Sequence, residues 1–356
     1  MAKLPESKAT TVAKFDAVLR EQNLAGKPFR GHLGCSVIGR ECERELWYAF
    51  RGCVNVAHEG RLLRLFDRGH REEEALVRWL RLADVVVHDV DPVTGEQFGY
   101  KTHGGHFAGS MDGCCLGLVE APKTWHCLEF KTSGDRPFRN LAKHGCEKSK
   151  PEHFAQMQLY MHLSGMTRAY YLVVNKNNDE LYHERVRYDD AVAVEMLEKA
   201  RRIITGPTPP PRISESPAYY KCGWCDFADV CHQTSLPLVH CRTCLHATAE
   251  LDGDSRWSCA LHKSDRTLDE QAAGCAGHRY IPSLLGALAR PVNADSEANW
   301  VEYELLKDGT LFRNGDQSWL TGAGFSSESI RVNGEQLAGK IDQTAAALRS
   351  MFVDSE

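Results

Sequence analysis

Two hydrophobic periodicities divide the first two thirds of the chain into helices and strands. Apolar residues spaced three or four positions apart predict helices. These helices are at residues 7–24, 37–51, 61–83, 153–164 and 189–205. Segments rich in β-branched and aromatic residues, or alternating in polarity, predict strands. These strands are at residues 85–89, 98–102, 107–119, 125–132, 169–175 and 180–188. Helices mixed with strands predict an α/β fold, in which helices flank a mixed central sheet.

Local signals refine this pattern and divide the chain into parts. Ser36 is the expected N-cap of the second helix, and Gly69 is expected to interrupt the third. A proline-rich stretch at 206–211 predicts a stiff linker, and a hairpin is expected at Asp308-Gly309. The predicted parts are an N-terminal helical segment at 1–34, a core at 35–235, a cysteine-rich module at 236–284 and an accessory region at 285–356.

The composition is that of an ordinary soluble globular protein. The 356 residues are 42% hydrophobic and 26% charged, which is enough chain for about two domains. No apolar run approaches the ~18 residues that span a membrane. Residues 1–14 are too polar for a secretory signal. We therefore expect a cytoplasmic protein with no membrane partner.

Fourteen cysteines are many for a protein of a reducing compartment, where disulfides are rare. Three lie within ten residues as Cys222-x₂-Cys225-x₅-Cys231, and such a compact thiolate cluster predicts a bound metal centre. Six others are expected to be small buried hydrophobic residues. These six are Cys35, Cys53, Cys114, Cys115, Cys127 and Cys146.

A second cysteine set follows directly. It consists of Cys241, Cys244, Cys259 and Cys275. Four thiolates at these intervals suit a closed tetrahedral zinc site. His246, His262 or His278 could replace one of the four ligands, and a second iron–sulfur cluster is the alternative to zinc. The set is expected to stabilise a small module that lacks its own core.

The net charge of −5 argues against a surface that is basic throughout, so nucleic-acid binding requires a local patch. The segment 131–150 carries six basic residues against two acidic ones. Beyond position 131 its basic members are Arg136, Arg139, Lys143, Lys148 and Lys150. They are a candidate DNA-binding surface, and a solvated surface face is the structural alternative.

A pair of carboxylates and a lysine is expected to converge on one face of a β-hairpin. Side chains alternate along a strand, so Glu129 and Lys131 share one face while Phe130 faces the core. A turn at 120–123 would pair residue 119 with residue 124. That register places Asp112 opposite Lys131, with Glu129 diagonal to Asp112.

This arrangement has the chemistry of metal-assisted phosphodiester cleavage. Two carboxylates this close repel each other unless a cation lies between them. Mg²⁺ takes oxygen ligands, polarises a phosphate and lowers the pKa of a bound water. Lys131 would orient that water or stabilise developing charge. The structural alternative is an exposed Asp–Lys pair of little energetic value.

Two predicted helices contribute further candidates. Gly69-His70 begins a helical stretch upstream, where the imidazole of His70 could add a metal ligand, and Glu73 is the rival for that role. Downstream, Gln156 and Tyr160 are four residues apart on one helical face. Their amide and phenol could hold a DNA strand or order the site, and the polar face of an amphipathic helix is the alternative.

The order of these parts resembles the RecB-like branch of the PD-(D/E)xK nuclease superfamily. The matching motifs are Gly69-His70, Gly109-Ser-Met-Asp112-Gly113, Glu129-Phe-Lys131 and Gln156-x-x-x-Tyr160. The layout is similar to that of the CRISPR-associated iron–sulfur exonucleases, the AddB nuclease domain and phage recombination nucleases. The resemblance implies a restriction-endonuclease-like core that binds Mg²⁺ or Mn²⁺ through His70, Asp112, Glu129 and Phe130.

The resemblance also implies a 4Fe–4S cluster. In those families one cysteine precedes the nuclease motifs and three follow with the spacing seen here, which implies Cys42, Cys222, Cys225 and Cys231 as ligands. Glu43 follows Cys42 where the families usually have proline. Cys35 is a rival for the first ligand, and zinc is the alternative metal for the set.

The expected function is therefore a DNA exonuclease that acts on DNA ends or single strands, in recombination, repair or phage DNA metabolism. An endonuclease or the nuclease subunit of a helicase complex is one alternative. A non-catalytic DNA-end-binding protein is another. Expected partners are DNA and a helicase or a single-strand annealing protein, and an oligomer is compatible with the sequence.

Overall fold

The computed structural model describes residues 10–25, 30–232, 235–315 and 324–337. In chain order its helices are α1 (Thr11–Leu24), α2 (Glu43–Arg51), α3 (Gly60–Leu82), α4 (Asp135–Ser149), α5 (Pro151–Ser164), α6 (Asp190–Thr205), α7 (Ala228–Cys231), α8 (Leu268–Ala273) and α9 (Ser327–Leu337). Its strands are β1 (Leu33–Gly34), β2 (Val86–His88), β3 (Gly99–Thr102), β4 (Phe107–Ser110), β5 (Gly113–Leu116), β6 (His126–Ser133), β7 (Arg168–Asn175), β8 (Leu181–Arg187), β9 (Ala247–Ala249), β10 (Trp257–Cys259), β11 (Ser264–Asp265), β12 (Ala289–Asp295), β13 (Trp300–Leu305), β14 (Leu311–Asn314) and β15 (Gly324–Phe325). The protein is therefore a mixed α/β protein.

The central sheet has five strands in the order β2-β5-β6-β7-β8. β6 and β7 run parallel, and the other neighbours are antiparallel. β6 and β7 are the most deeply buried of the five, as expected for strands covered on both faces. Three smaller sheets have the orders β1-β4-β3, β11-β10-β9 and β12-β13-β14-β15.

Helices cover both faces of the central sheet. On one face Leu76 and Val77 of α3 join Phe130 of β6 in a compact hydrophobic cluster. The main core lies on the other face and includes Leu159 of α5. Because side chains alternate along β6, Glu129 lies on the face opposite to Phe130.

The second helix is shorter than predicted. α2 begins at Glu43 with Cys42 as its N-cap, so the prediction of a helix over 37–42, capped by Ser36, is wrong. The segment before it is engaged elsewhere. The Cys35 amide donates to the Ala108 carbonyl at 2.9 Å, and a Cβ at Gly39 would come within 2.6 Å of the backbone of α5. Contacts with β4 and α5 therefore override the local helical periodicity.

Two other boundaries differ from the prediction. α3 continues through Gly69 without interruption. The strand predicted at 107–119 is two strands, β4 and β5, which belong to different sheets. The chain leaves the first sheet at Met111, whose amide donates to the Phe98 carbonyl at 2.9 Å. It enters the second at Gly113, whose φ of +144° is rarely adopted by other residues.

Two local predictions, for the cysteines and for the hairpin, are confirmed. The six cysteines outside the two metal-ligand sets are all buried. The hairpin at Asp308-Gly309 joins the antiparallel strands β13 and β14, and Gly309 has a φ of +75°. Among the residues described, no helix combines the length and the apolar character that a membrane crossing needs.

The cysteine-rich module packs onto the core around one tryptophan. Trp257 is fully buried, and its ring lies 5.4 Å from the Arg51 guanidinium and 5.1 Å from that of Arg242. Arg51 donates to the Arg242 carbonyl at 3.1 Å, and Arg242 donates to the Phe50 carbonyl at 3.3 Å. The two cations thus lie against the same aromatic ring, and each donates to a backbone carbonyl.

Burial lowers the pKa of both arginines, to about 10 for Arg51 and about 9 for Arg242. The main hydrophobic core runs on through Trp257 to Tyr303 and Ile330, across the boundaries expected at 236 and 285. The described parts of the chain beyond residue 236 therefore share their core with the α/β part.

This packing predicts that Trp257→Ala destabilises the whole protein. Loss of a fully buried tryptophan is expected to cost about 3–5 kcal/mol of unfolding free energy, measured by urea denaturation followed by circular dichroism. Trp224 is 90% exposed and is the matched control, with an expected change within about 0.5 kcal/mol. Equal unfolding midpoints for the two variants would contradict this account of the module.

Candidate active site

Asp112 lies where the chain crosses from one sheet to another, between β4 and β5. Its Oδ2 accepts a hydrogen bond from the Phe130 amide at 2.7 Å. The following residue, Gly113, lies so close to β2 that a Cβ would meet the His88 carbonyl oxygen at 2.6 Å. The tight crossover and the hydrogen bond together fix the carboxylate against β6.

The register of the hairpin differs by two residues from the predicted one. Gly113 pairs with Leu128, and the turn closes with a bridge between Leu118 and Ala121. Continued by one residue, this register places Asp112 opposite Glu129, so the prediction that Asp112 lies opposite Lys131 is wrong. A shift of two residues keeps every side chain on its face, and the three groups still converge.

Glu129 is fully buried, and its two oxygens have different surroundings. Oε1 contacts Nζ of Lys131, which also donates to the Phe130 carbonyl at 3.1 Å. Oε2 has no hydrogen-bond partner. An unsatisfied buried acceptor is costly, so the arrangement favours a ligand for this oxygen.

The three groups shift one another's protonation. The pKa of Glu129 is raised to about 8, chiefly by burial, with Lys131 opposing the shift and Asp112 adding to it. Burial also raises the pKa of Asp112, against the effects of Lys131 and the Phe130 amide. Burial would lower the pKa of Lys131, but Glu129 and Asp112 raise it above its usual range, so the amine stays charged.

Helix α3 adds a third carboxyl group. A cavity of about 360 Å³ is lined by His70 and Glu73 of α3 together with Lys131. Burial raises the pKa of Glu73, and the charge of Asp112 raises it further. Glu73 also raises the pKa of Glu129, whereas His70 lowers the pKa of Glu73. Of the two rivals, Glu73 is therefore more tightly coupled to the acid pair.

Lys176, which is not among the residues predicted from the sequence, lines the same cavity. It directly follows β7, and its amide donates to the Ser133 carbonyl at 2.9 Å. The ends of parallel strands meet at one edge of a sheet, so parallel pairing of β6 with β7 would have indicated this lysine. That pairing is not encoded in the local sequence pattern.

Gln156 and Tyr160 are brought to the site by α5. Nε2 of Gln156 donates to the Tyr160 hydroxyl at 3.2 Å, while Oε1 of Gln156 has no partner. Both side chains are buried. A Cβ at Gly109 would lie 2.8 Å from the Tyr160 hydroxyl, so glycine permits this close approach of α5 to β4. Because both side chains are buried, they are better placed to order the site than to contact DNA directly.

Of the basic residues in the segment 131–150, Lys131 lies on β6, Lys150 follows α4, and the other four lie on α4. Arg136, Arg139 and Lys143 are exposed along one side of the helix, while Phe138 and Leu141 are buried on the other. Lys148 is also exposed and Lys150 is half-buried, beyond a break in the helix at Gly145. Arg139 is paired with Asp135. The structure thus presents a basic face directly after β6.

The first cysteine set lines one cavity of about 340 Å³, formed where α2 begins. Cys42, Cys222, Cys225 and Cys231 all contribute to its wall. Cys35 does not, because it is fully buried beside Gly109 and Tyr160. The linker is held against α2, since Trp47 Nε1 donates to the Gly206 carbonyl at 2.9 Å.

The second cysteine set lines a far smaller cavity, of about 10 Å³. Among the residues that the structure describes, no group of three or more histidine, cysteine or carboxylate side chains lies in a position to hold a metal ion. Mg²⁺ sites in proteins commonly use only one or two carboxylates, and waters fill the other positions.

No protein-family model and no curated protein matches this chain. Among solved structures, the alkaline exonuclease LHK-Exo from Laribacter hongkongensis is 17% identical, with 54% of this chain and 90% of that chain covered and a TM-score of 0.34. LHK-Exo in complex with dAMP has the same identity and coverage and a TM-score of 0.33. The protein SSO0001 is 14% identical, with 63% and 97% covered and a TM-score of 0.39. Since all three TM-scores lie below 0.5, the case for a function rests on the site residues.

Proposed function

We propose that this protein is a divalent-metal-dependent deoxyribonuclease with a PD-(D/E)xK core, acting as an exonuclease on DNA ends or single strands. One observation carries the proposal. A fully buried carboxylate, Glu129, has one oxygen on Lys131 and the other without a partner, directly beside Asp112. This is a poor arrangement for stability and a good one for binding a cation next to a phosphate.

The oxygen atoms present fit Mg²⁺ or Mn²⁺. Glu129 offers its unpartnered Oε2, and Asp112 has one oxygen that is not used by the Phe130 amide. Hard cations prefer such oxygen ligands. Glu73 or His70 would add a ligand from α3. A bound ion supplies Lewis acidity and lowers the pKa of a water.

The remaining chemistry is assigned to side chains of this chain. Hydrolysis adds water to the phosphorus atom and breaks one P–O bond, leaving a phosphate and a hydroxyl. Lys131, which stays charged, would orient the attacking water and stabilise the charge that develops on phosphate oxygens. Gln156 and Tyr160 would order the site from α5. The exposed basic face of α4 would bind the DNA backbone.

The first cysteine set is proposed to hold a 4Fe–4S cluster. All four cysteines line one cavity of about 340 Å³, at the start of α2. Thiolates are the ligands of such clusters. The cluster would join the start of α2 to the segment at 222–231, and thereby tie the chain after the linker back to the core.

Substitutions in the acid–lysine group are predicted to abolish cleavage without unfolding the protein. Asp112→Asn, Glu129→Gln and Lys131→Met are expected to reduce cleavage of end-labelled DNA by about a hundredfold or more with Mg²⁺ or Mn²⁺. Glu147→Gln, at an exposed carboxylate of α4, is the matched control. Linear, circular and single-stranded substrates would separate exonuclease from endonuclease activity. DNA binding without cleavage by the wild type would favour the end-binding alternative.

Metal binding is predicted to strengthen as pH rises. The pKa of Glu129 is about 8, so a proton must leave before the carboxylate can bind an ion. Apparent Mn²⁺ affinity should rise up to roughly tenfold per pH unit toward pH 8 and then level off. Calorimetry in buffers with different ionisation enthalpies would count the released proton. Constant affinity from pH 6 to pH 8 would contradict this role of Glu129.

The same pKa predicts how the metal-free protein responds to pH. Because folding raises the pKa of Glu129 from 4.5 to about 8, the folded state binds the proton more tightly than the unfolded state. This contribution to stability is full below pH 4.5 and is lost as pH rises to about 8. The wild type should therefore lose stability relative to Glu129→Gln as pH rises from 4.5 to about 8. The difference in their unfolding free energies, measured by thermal unfolding, would show this.

Anaerobically purified protein is predicted to be brown, with about four irons per chain. Cys222→Ser and Cys42→Ser should lose the iron and the visible absorbance, whereas Cys35→Ala should retain both. Iron retained in Cys42→Ser and lost in Cys35→Ala would reverse the choice of first ligand. A colourless protein that contains only zinc would reject the cluster and leave the nuclease proposal standing.

A further inference from the structure

We propose that Cys241, Cys244, Cys259 and Cys275 bind one zinc ion, which cross-links the cysteine-rich module. The inference goes beyond the nuclease proposal and does not depend on it. The four cysteines come from a turn, a strand and the segment after a helix, and they line a single cavity. Three of them are buried, and Cys275 is exposed at the mouth.

The local backbone presents the thiols in the manner of a zinc site. Cys241 begins a 3₁₀ turn that ends before Cys244, and the Cys244 amide donates to the Cys241 carbonyl at 2.9 Å. Cys259 is the last residue of β10. Cys275 follows α8 after Gly274, whose φ of +62° redirects the chain. A tight turn with two thiols, facing two thiols from other elements, is the arrangement of a closed tetrahedral zinc site.

The space between the four thiols is small. Its volume of about 10 Å³ is on the order of the space that one water molecule needs, which suits a single ion. As the structure stands, the four thiols are not placed as a group that could hold an ion. Thiol ligands lose their protons when a metal binds, and the ion would then draw the sulfur atoms together.

Each of the three neighbouring histidines uses its Nε2 atom in a hydrogen bond. Nε2 of His246 is bonded to Oδ1 of Asn299 at 2.8 Å, and Nε2 of His278 is bonded to the Thr243 hydroxyl at 3.2 Å, while Nδ1 of His278 has no partner. Nε2 of His262 lies 3.4 Å from Sγ of Cys275. We assign Cys275 as the fourth ligand and His262 as its hydrogen-bond partner, with Nδ1 of His278 as a rival ligand.

The module needs such a cross-link because its own secondary structure is small. Its three strands have three residues or fewer. Yet it contacts the segment that leads into β4. The Ser255 amide donates to the Gly104 carbonyl at 2.6 Å, and the Ser255 hydroxyl donates to the Gly105 carbonyl at 2.7 Å. His106 bonds the Arg256 carbonyl at 3.1 Å. β4 continues directly to Asp112, so these hydrogen bonds stabilise the strand that positions a proposed catalytic carboxylate.

Metal analysis of anaerobically purified variants tests the assignment. Wild-type protein should contain one zinc per chain, and both Cys259→Ser and Cys275→Ser should lose it while their iron content stays unchanged. Cys275 is exposed, so its variant keeps the test valid if Cys259→Ser fails to fold. His262→Ala removes a rival fourth ligand and should keep the zinc, with weaker affinity because Cys275 loses its hydrogen-bond partner. Cobalt exchanged for zinc should give the visible bands of a tetrahedral thiolate site.

Each contrary result has a distinct meaning. Wild-type protein without zinc, or zinc retained in Cys275→Ser, would overturn the proposal. Loss of zinc in His262→Ala but not in Cys275→Ser would overturn the four-cysteine assignment. Iron lost from Cys259→Ser would replace the ion with a second cluster. None of these readouts depends on DNA cleavage, so failure of the nuclease proposal would leave this test unaffected.

Discussion

The burial of the Glu129 carboxylate beside Lys131 is the constraint around which this structure is organised. A charge removed from water is costly, and a nearby amine repays that cost only in part. Apolar residues of similar volume would give a more stable sheet at this position. β6 nevertheless carries both groups at its centre, between Asp112, which directly precedes β5, and Tyr171 of β7. The architecture therefore gives up stability at this position, as sites that bind ligands commonly do.

Other features hold Asp112 in place beside the Glu129 carboxylate. The crossover at Asp112 is fixed by hydrogen bonds to Phe98, which directly precedes β3, and to Phe130 of β6. Glycine at 109 and 113 lets α5 and β2 approach within contact distance. The cysteine-rich module forms hydrogen bonds with residues 104–106. Precision at the site thus comes from tertiary contacts that are distant in sequence.

This explains what the sequence could and could not predict. The alternation of side chains placed Glu129 and Lys131 on one face, and that held even though the register was wrong, because the error was two residues and the period is two. Periodicity failed at 37–42 and 107–119, where a strand neighbour and a change of sheet override it. Lys176 was missed for a related reason, since only the parallel pairing of β6 with β7 brings it to the site. The coupling of Glu73 to the acid pair likewise required the position of α3.

The two ends of α2 have a consequence for how the chain folds. Its N-cap, Cys42, lies at a cavity completed by residues 222–231, and its last turn is enclosed by Trp257 and Arg242. This nine-residue helix is too short to persist alone. Partners some 180 residues downstream must leave the ribosome before it is secured, so folding depends on contacts of large sequence separation and is expected to be slow and post-translational. During synthesis, the early part of the chain would expose Trp47 and Phe50 to the chaperones that recognise such surfaces.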